Sequence, residues 1–471
     1  MNCNYFFRII KKYTNLVEKN KNKIYNKANN KFERNKKVDK VRELALKILY
    51  KIDNEKAYSN IILNEEINKN RKIIDERDIG FISEIVYGVT TWKLTIDEII
   101  RKYSKIRLKK ISPWIITILR MGVYQIVFLD KVPKSAAVNE SVNLAKRYGH
   151  KSSSNFVNAI LRKISKKDYE DFFDIDDNIE RISKTTSMPV WIIEKLLKEK
   201  DIDEVENICK NSNIRPKITV RINKLKTNKE EIKKILAKEK IEFKECELDD
   251  FLILEKVKNI EKFDLIKNGY LTIQDKGAGL IALVLNPKEN EHVLDACSSP
   301  GGKTTYMAEM MNNRGEIVAW DIHEHRVNLV EKNAKRLDIN IINTECKDAT
   351  KYEEKYKEIF DKILLDVPCL GLGVLKRKPD IKWQRKEEDI NEITKIQKEI
   401  LNSCSKYLKE NGELVYSTCS ILKDENEEII KEFLEKNKNF EAIEISGKQQ
   451  YIQLYQDKEN DGFFICKLKK K

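Results

Sequence analysis

From Thr272 to the C-terminus, short apolar runs alternate with helical patterns, and this alternation restricts the fold more than any other property of the chain. HVLDAC (292–297), GEIVAWD (315–321), IINTECKD (341–348), DKILLD (361–366) and ELVYSTC (413–419) each read as a buried strand. Strands joined through helices run parallel and are covered on both faces, which predicts an α/β domain with a mostly parallel sheet. Ligands of such sheets bind where the strands end, and two strands here end in cysteine-bearing strings. They are Asp366-Val367-Pro368-Cys369 and Tyr416-Ser417-Thr418-Cys419. Neighbouring parallel strands end on one rim, so both thiols can face one cleft. A thiol there is a candidate nucleophile, and Asp366 is a candidate orienter or proton partner. Either cysteine taken alone is equally well explained as a small buried hydrophobe.

The Gly-rich loop upstream changes that balance. The first strand runs into Cys297-Ser298-Ser299-Pro300-Gly301-Gly302-Lys303 and then into the helical TTYMAEMMNN. Glycines at a strand-to-helix turn let the backbone approach a ligand, and the helix start offers free N–H groups. Asp321 ends the second strand 19 residues after Gly302, where an acidic side chain accepts hydrogen bonds from ribose hydroxyls. Asp348 ends the third and is placed to meet an adenine amino group. The glycines lack the four-residue spacing of a P-loop and do not form GxGxxG, so the ligand expected is a nucleoside-bearing cofactor, not a triphosphate.

The rest of the chain is organised differently. Val41, Leu44, Ala45, Ile48, Leu49 and Ile52 form one amphipathic helical face. A second helix is expected after Asp78, one opens at Ser112-Pro113, one runs from Ser135 to near Gly149, and one is capped by Ser154. About five short helices thus make an all-α bundle over 39–165. An acidic stretch without periodicity predicts a linker at 166–184. Residues 185–270 mix helix with the strands KITVRINKL (217–225) and Phe251–Leu254, a small α+β module. The α/β domain takes 271–471.

Bulk composition narrows the partners. The net charge is +15, and twelve Lys/Arg against three Asp/Glu in residues 1–40 supply +9 of it. A polyanion, nucleic acid first, is the partner this suits, although the Lys- and Asn-rich extension over 1–38 reads in the first place as a solvated, basic low-complexity tail. No apolar run nears the roughly 18 residues that would span a membrane, and the first residues have no secretory pattern. Nine cysteines, with no Cys-x-x-Cys and no histidine at ligand spacing, speak for a reducing cytoplasm and against disulfides or a metal site. His150, His292, His323 and His325 read as surface or structural. The basic Lys376-Arg377-Lys378, followed by Asp380, Lys382 and Trp383, suits phosphates and a stacked base, or merely a solvated loop. Tyr416 reads as core. Lys303 suits neutralising a carboxylate or phosphate, or simply a helix start.

LDACSSPGGKTT, the Pro-Cys and Thr-Cys strand ends and the closing DGFFICKL (461–468) together resemble the Sun family of RNA (cytosine-C5) methyltransferases. That resemblance covers about 185–471 and includes the RIN string at 221–223. FVNAIL and ILRMGVYQI make the helical 39–165 segment resemble NusB-type RNA-binding domains. The implied architecture is a NusB-like bundle, an α+β module and a Rossmann-like class I methyltransferase domain. The implied activity is methyl transfer from S-adenosylmethionine to a cytidine of small-subunit (16S) rRNA, naked or in an early particle, by a monomer. Under the resemblance, Cys297, Ser298, Ser299, Pro300, Gly301, Gly302, Lys303, Asp321 and Asp348 hold the cofactor, and Asp366 touches cofactor and base. Cys419 is then the nucleophile and Cys369 assists release. Ser298-Ser299 stands where alanines are commoner, and Leu370 replaces a usual serine. Readings left open are the same chemistry on tRNA or another rRNA site, and a non-catalytic RNA-binding assembly factor.

Overall fold

The structure, a computed structural model, describes residues 38–471 apart from 56, 256, 258, 259, 261, 262, 446 and 448. The basic extension expected over 1–38 therefore lies outside the described residues except for Val38, which is buried in the helical core. The chain divides into two compact units between Asp174 and Ile175.

The first unit holds seven α-helices among its described residues: α1 (Lys40–Glu55), α2 (Ser59–Asn70), α3 (Glu76–Thr91), α4 (Lys93–Tyr103), α5 (Pro113–Val127), α6 (Lys134–Tyr148) and α7 (Lys151–Ile164). The predicted face of α1 is buried at Leu44, Ala45, Ile48, Leu49 and Ile52. Two more helices exist than expected. Helix α2 was missed because it buries little beyond Leu63 and Ile67. Helix α3 begins before Asp78: Asp75 is its N-cap, accepting the Asp78 N–H, and the Asp78 carboxylate in turn accepts the Asp75 N–H, a reciprocal capping box. Ser154 lies inside α7, where its hydroxyl donates to the Lys151 carbonyl, so it does not cap the helix. All seven helices share one apolar core, which also takes Phe172 from the acidic segment expected as a linker.

The second unit opens with α8 (Asn178–Thr186), α9 (Val190–Leu197) and α10 (Ile202–Asn211). Helix α8 thus starts within the expected linker, and its Ile182 is fully buried. A four-stranded antiparallel sheet follows, in the order β2 (Phe243–Glu245), β3 (Phe251–Leu254), β1 (Ile218–Ile222), β4 (Leu271–Ile273). Helix α11 (Lys229–Lys238) buries Ile232 and Leu236 in the core of this sheet.

The larger sheet is ordered β10 (Phe440–Ala442), β12 (Phe463–Lys470), β9 (Leu408–Thr418), β8 (Phe360–Asp366), β5 (His292–Asp295), β6 (Glu316–Asp321), β7 (Ile342–Cys346), with β11 (Tyr451–Leu454) paired to β12. From β9 to β7 every pairing is parallel, while β10, β11 and β12 add antiparallel partners beyond β9. Pleating sends successive residues to opposite faces. Leu294, Val318, Ile363, Leu365 and Tyr416 enter one core, and Val293, Ile317, Leu364 and Val415 enter the other. The order reverses at β5, so the loops after β5 and β8 bound a crevice at the strand ends. The described residues contain no helix long and apolar enough to cross a membrane and no cluster of three or more His, Cys, Asp or Glu that would hold a metal.

Candidate active site

Strand pairing brings the cysteines together. Asp366, the last residue of β8, is registered against Ser417 of β9, so each cysteine leaves its strand on the same rim. The Cys369 and Cys419 sulfurs lie 2.9 Å apart, both half-buried. Backbone contact locks the two turns: the Gly373 N–H donates to the Cys419 carbonyl at 2.8 Å, and the Gly462 N–H donates to the Gly373 carbonyl at 2.8 Å. A Cβ on Gly373 would stand 2.0 Å from the Gly462 oxygen, so no side chain fits there.

Asp366 sits beside this pair with both carboxylate oxygens engaged. Lys303 Nζ donates to Oδ2 at 2.7 Å and Ser417 Oγ donates to Oδ1 at 2.9 Å. Lys303 therefore neutralises a carboxylate, one of its two expected roles. Burial would lower its pKa, but the Asp366 charge and hydrogen bond prevail and raise it. The hydrogen bond from Cys369 lowers the Cys419 pKa, helped by the Lys378 and Lys303 charges, against burial and the Asp366 charge. Cys369 moves far the other way: its bond to Cys419 comes first, followed by burial, the Cys419 charge, Glu425 and Asp366. The two sulfurs are thus unequal, with Cys419 the more acidic and Cys369 the one that holds its proton more firmly.

The Gly-rich loop lies beside β6. Ser298 donates from both N–H and Oγ to the Trp320 carbonyl, at 2.8 and 2.9 Å. Gly301 has φ +97° and packs on Val330, so a side chain there would be strained as well as crowded. Helix α14 (Gly302–Met310) follows, taken here after α12 (Asp264–Lys267) and α13 (Lys276–Leu285), and its first N–H groups have no acceptor within the helix. Asp321 ends β6, and its Oδ1 accepts the His323 N–H at 3.1 Å. Asp348 lies two residues beyond β7, not at its end. Burial raises its pKa, yet hydrogen bonds from Thr350 outweigh this and hold it low. Loop, carboxylates and helix start line the rims of β5, β6 and β7, a donor and acceptor set that fits a nucleoside-bearing cofactor.

Sequence reasoning missed several groups. Asp295 is wholly buried, accepts the Thr304 hydroxyl at 2.7 Å, and is pushed by burial up to about 7. Arg221 of the small sheet is fully buried and donates to Glu309, Thr305 and the Gly302 carbonyl, bracing the Gly-rich loop. The RIN string carries it. Asn223, from the same string, donates to the Gly269 and Leu337 carbonyls. Glu425, six residues beyond Cys419, carried no signal beyond its nearness. The Lys376-Arg377-Lys378 string is mostly not a phosphate grip. Lys376 is spent on the Asp457 and Asn460 carbonyls, Arg377 on Asp461 and Asp275, and Lys382 is buried against Asn213. Lys378 alone of the three is exposed. Tyr416 is core, as expected, and its hydroxyl donates to the Glu425 carbonyl at 2.7 Å.

A Gly-rich loop after the first strand, carboxylates after the next two and paired cysteines on the adjoining strand ends define an α/β methyltransferase domain, here preceded by a ferredoxin-like module and a NusB-type helical domain. Residues 282–469 match the family model for 16S rRNA methyltransferase RsmB/F, 39–166 that of the NusB family, and 188–261 that of the RsmF/B-like ferredoxin-like domain. The chain is 36% identical to the probable ribosomal RNA small subunit methyltransferase B of Bacillus subtilis, over 92% of its own length and 100% of the relative's. It is 33% identical to the protein of the same name from Synechocystis, over 91% and 99%. The solved structure of the protein PH0851 superposes with a TM-score of 0.78 at 26% identity, covering 93% of this chain and 100% of that one. The chain belongs to the ribosomal RNA small subunit methyltransferase B family.

Proposed function

We propose that this protein transfers a methyl group from S-adenosylmethionine to C5 of a cytidine in small-subunit rRNA through a covalent Cys419–cytosine adduct. The observation that carries this reading is the 2.9 Å sulfur pair beside the Lys303–Asp366 ion pair. Cys297 through Lys303, Asp321, Asp348 and Asp366 are the residues that would hold the cofactor. When bound there, S-adenosylmethionine supplies an electrophilic methyl group.

Cytosine C5 is too weak a nucleophile unaided. The Cys419 thiolate adds to C6 and makes C5 enamine-like, and the hydrogen bond from Cys369 favours that anion by lowering the Cys419 pKa. Lys303 and Asp366, 2.7 Å apart, offer a proton donor and an acceptor for the ring N3 and the amino group. Once C5 carries its methyl group, a water molecule takes the C5 proton, the C–H pair forms the C5–C6 double bond, the C6–S bond breaks and Cys419 departs as thiolate. The Cys369 S–H then hydrogen-bonds that departing sulfur, which lowers the cost of elimination. A cytosine must leave its stack to reach such a site, and loops of RNA pay least for this. The NusB-type domain, at 39–165 by our division, is assigned to RNA binding, and 271–471 to catalysis.

The test is a pair of variants assayed on rRNA and tRNA. Cys419→Ala is expected to abolish methyl transfer with cofactor affinity within twofold of wild type. Cys369→Ala is expected to accumulate a denaturation-resistant protein–RNA adduct. Free turnover by either variant defeats the assignment. Bisulfite sequencing of the product distinguishes C5 methylation of rRNA from that of tRNA.

A further inference from the structure

Glu425 is a carboxylate with no exposed surface, and the reaction just described does not use it. It follows the Cys419 turn, in the 3-10 turn Lys423–Glu425. Its Oε2 accepts the Leu370 N–H at 2.9 Å, one residue after Cys369, and Gln397 Nε2 at 3.1 Å. The same Gln397 amide donates to the Pro368 carbonyl at 2.9 Å, one residue before Cys369. Glu425 Oε1 accepts the hydroxyl of Ser420, one residue after Cys419. One side chain therefore holds both cysteine-bearing turns, through groups that flank the sulfurs but not through the sulfurs themselves.

The neighbouring Asn426 extends the grip. Its Nδ2 donates to the Ser420 carbonyl at 3.2 Å, and its Oδ1 accepts the Thr418 hydroxyl at 2.6 Å. Burying a carboxylate is costly unless its lone pairs are used, and here three donors use them, one from each turn and the Gln397 amide. Each turn thus gains its place by satisfying the same buried charge.

We propose that Glu425 is a positioning residue that clamps the Cys369 and Cys419 turns together and so sets the spacing of the reacting sulfurs. The inference rests on the proposed roles of the two cysteines. Its carboxylate also faces Cys369 and, after the hydrogen bond to Cys419, burial and the Cys419 charge, helps keep that thiol protonated. A glutamine here keeps the shape of the clamp. Its carbonyl oxygen can accept from Leu370 and Gln397, and its amide can face Ser420 Oγ.

Sulfur spacing is read without RNA by oxidising the folded full-length protein with diamide. The two thiols lose two hydrogens and form one S–S bond, and the azo reagent takes both hydrogens to become a hydrazine. The Cys369–Cys419 peptide pair is quantified by mass spectrometry against time. Glu425→Ala is expected to slow this cross-link at least tenfold, with Glu425→Gln within threefold of wild type. A native-like Glu425→Ala protein that cross-links at the wild-type rate overturns the proposal. If circular dichroism shows Glu425→Ala unfolded, Ser420→Ala takes its place, since it removes only the hold on the Cys419 turn. A threefold slowing then supports the clamp, and an unchanged rate overturns it. In methyl-transfer assays Glu425→Ala is expected to lower kcat at least tenfold with the cofactor KM within twofold, and Glu425→Gln to recover most of the loss. Slowed cross-linking with unchanged methyl transfer supports the clamp and defeats instead the roles given to the sulfur pair.

Discussion

Asp295 shows how burial turns an ordinary carboxylate into a pH-dependent load on the fold. It is fully enclosed beneath the Gly-rich loop, and burial, with the Asp366 charge adding to it, carries its pKa from 3.8 to about 7 against the Thr304 hydrogen bond. The folded value lies above that of the unfolded chain. The native state therefore keeps a proton that the unfolded chain releases. Its contribution to stability is complete below about pH 4 and is lost as pH rises through about 7. At about 1.4 kcal/mol per pKa unit, stability is expected to drop by about 3 kcal/mol between pH 5 and pH 8 through this residue. Asp295→Asn, which still accepts from Thr304, is expected to remove that dependence. Urea unfolding at the two pH values checks it, and parallel curves for wild type and variant would refute it. The cysteines behave differently at this scale. Their residue types and strand-end positions made them candidates from sequence, but their unequal acidity comes first from the hydrogen bond between them, then from burial and from Lys378, Lys303, Glu425 and Asp366, which only the fold gathers.

At the scale of elements, the strand ends of the large sheet were legible because fully buried parallel strands must be continuous apolar runs. Phe360–Asp366 and Glu316–Asp321 were read to within one residue. The helix starts were less legible. The capping box at Asp75 and Asp78 is visible in the chain, but Asp78 alone drew attention, and Ser154 resembles a cap although it lies a turn inside α7. The joint between β1 and α14 could not be read at all. Arg221 is a single basic residue in an apolar strand, and its partners Gly302, Thr305 and Glu309 lie more than 80 residues away. Arg221→Ala leaves Glu309 buried and unpaired, which is expected to cost about 3–5 kcal/mol. Arg221→Lys should not restore it, since a single ammonium cannot reproduce the fork that grips Glu309 through two nitrogens. Urea unfolding measures the first effect. Calorimetric titration with S-adenosylhomocysteine measures the weakened loop, and unchanged affinity in a folded variant would separate Arg221 from the cofactor site.

On the scale of the whole molecule, each unit has a core of its own: one in the helical bundle, and separate ones around the small and large sheets. Residues 39–174 and 175–471 expressed separately are expected to fold, each with a cooperative urea transition seen by circular dichroism. A helical half that stays unfolded alone would contradict that independence. The division into an all-α part and an α/β part follows from hydrophobic periodicity, because a repeat of 3.6 or of 2 is a local property that each segment declares for itself. The motifs likewise name the reacting atoms, since sulfur and carboxylate chemistry belongs to the residue type. What local pattern cannot hold is distance. That the sulfurs stand 2.9 Å apart, that Lys303 faces Asp366, and that Lys376 and Arg377 serve the scaffold all depend on contacts across tens of residues of chain. Such contacts exist only once the strands have paired and their charges have been buried together.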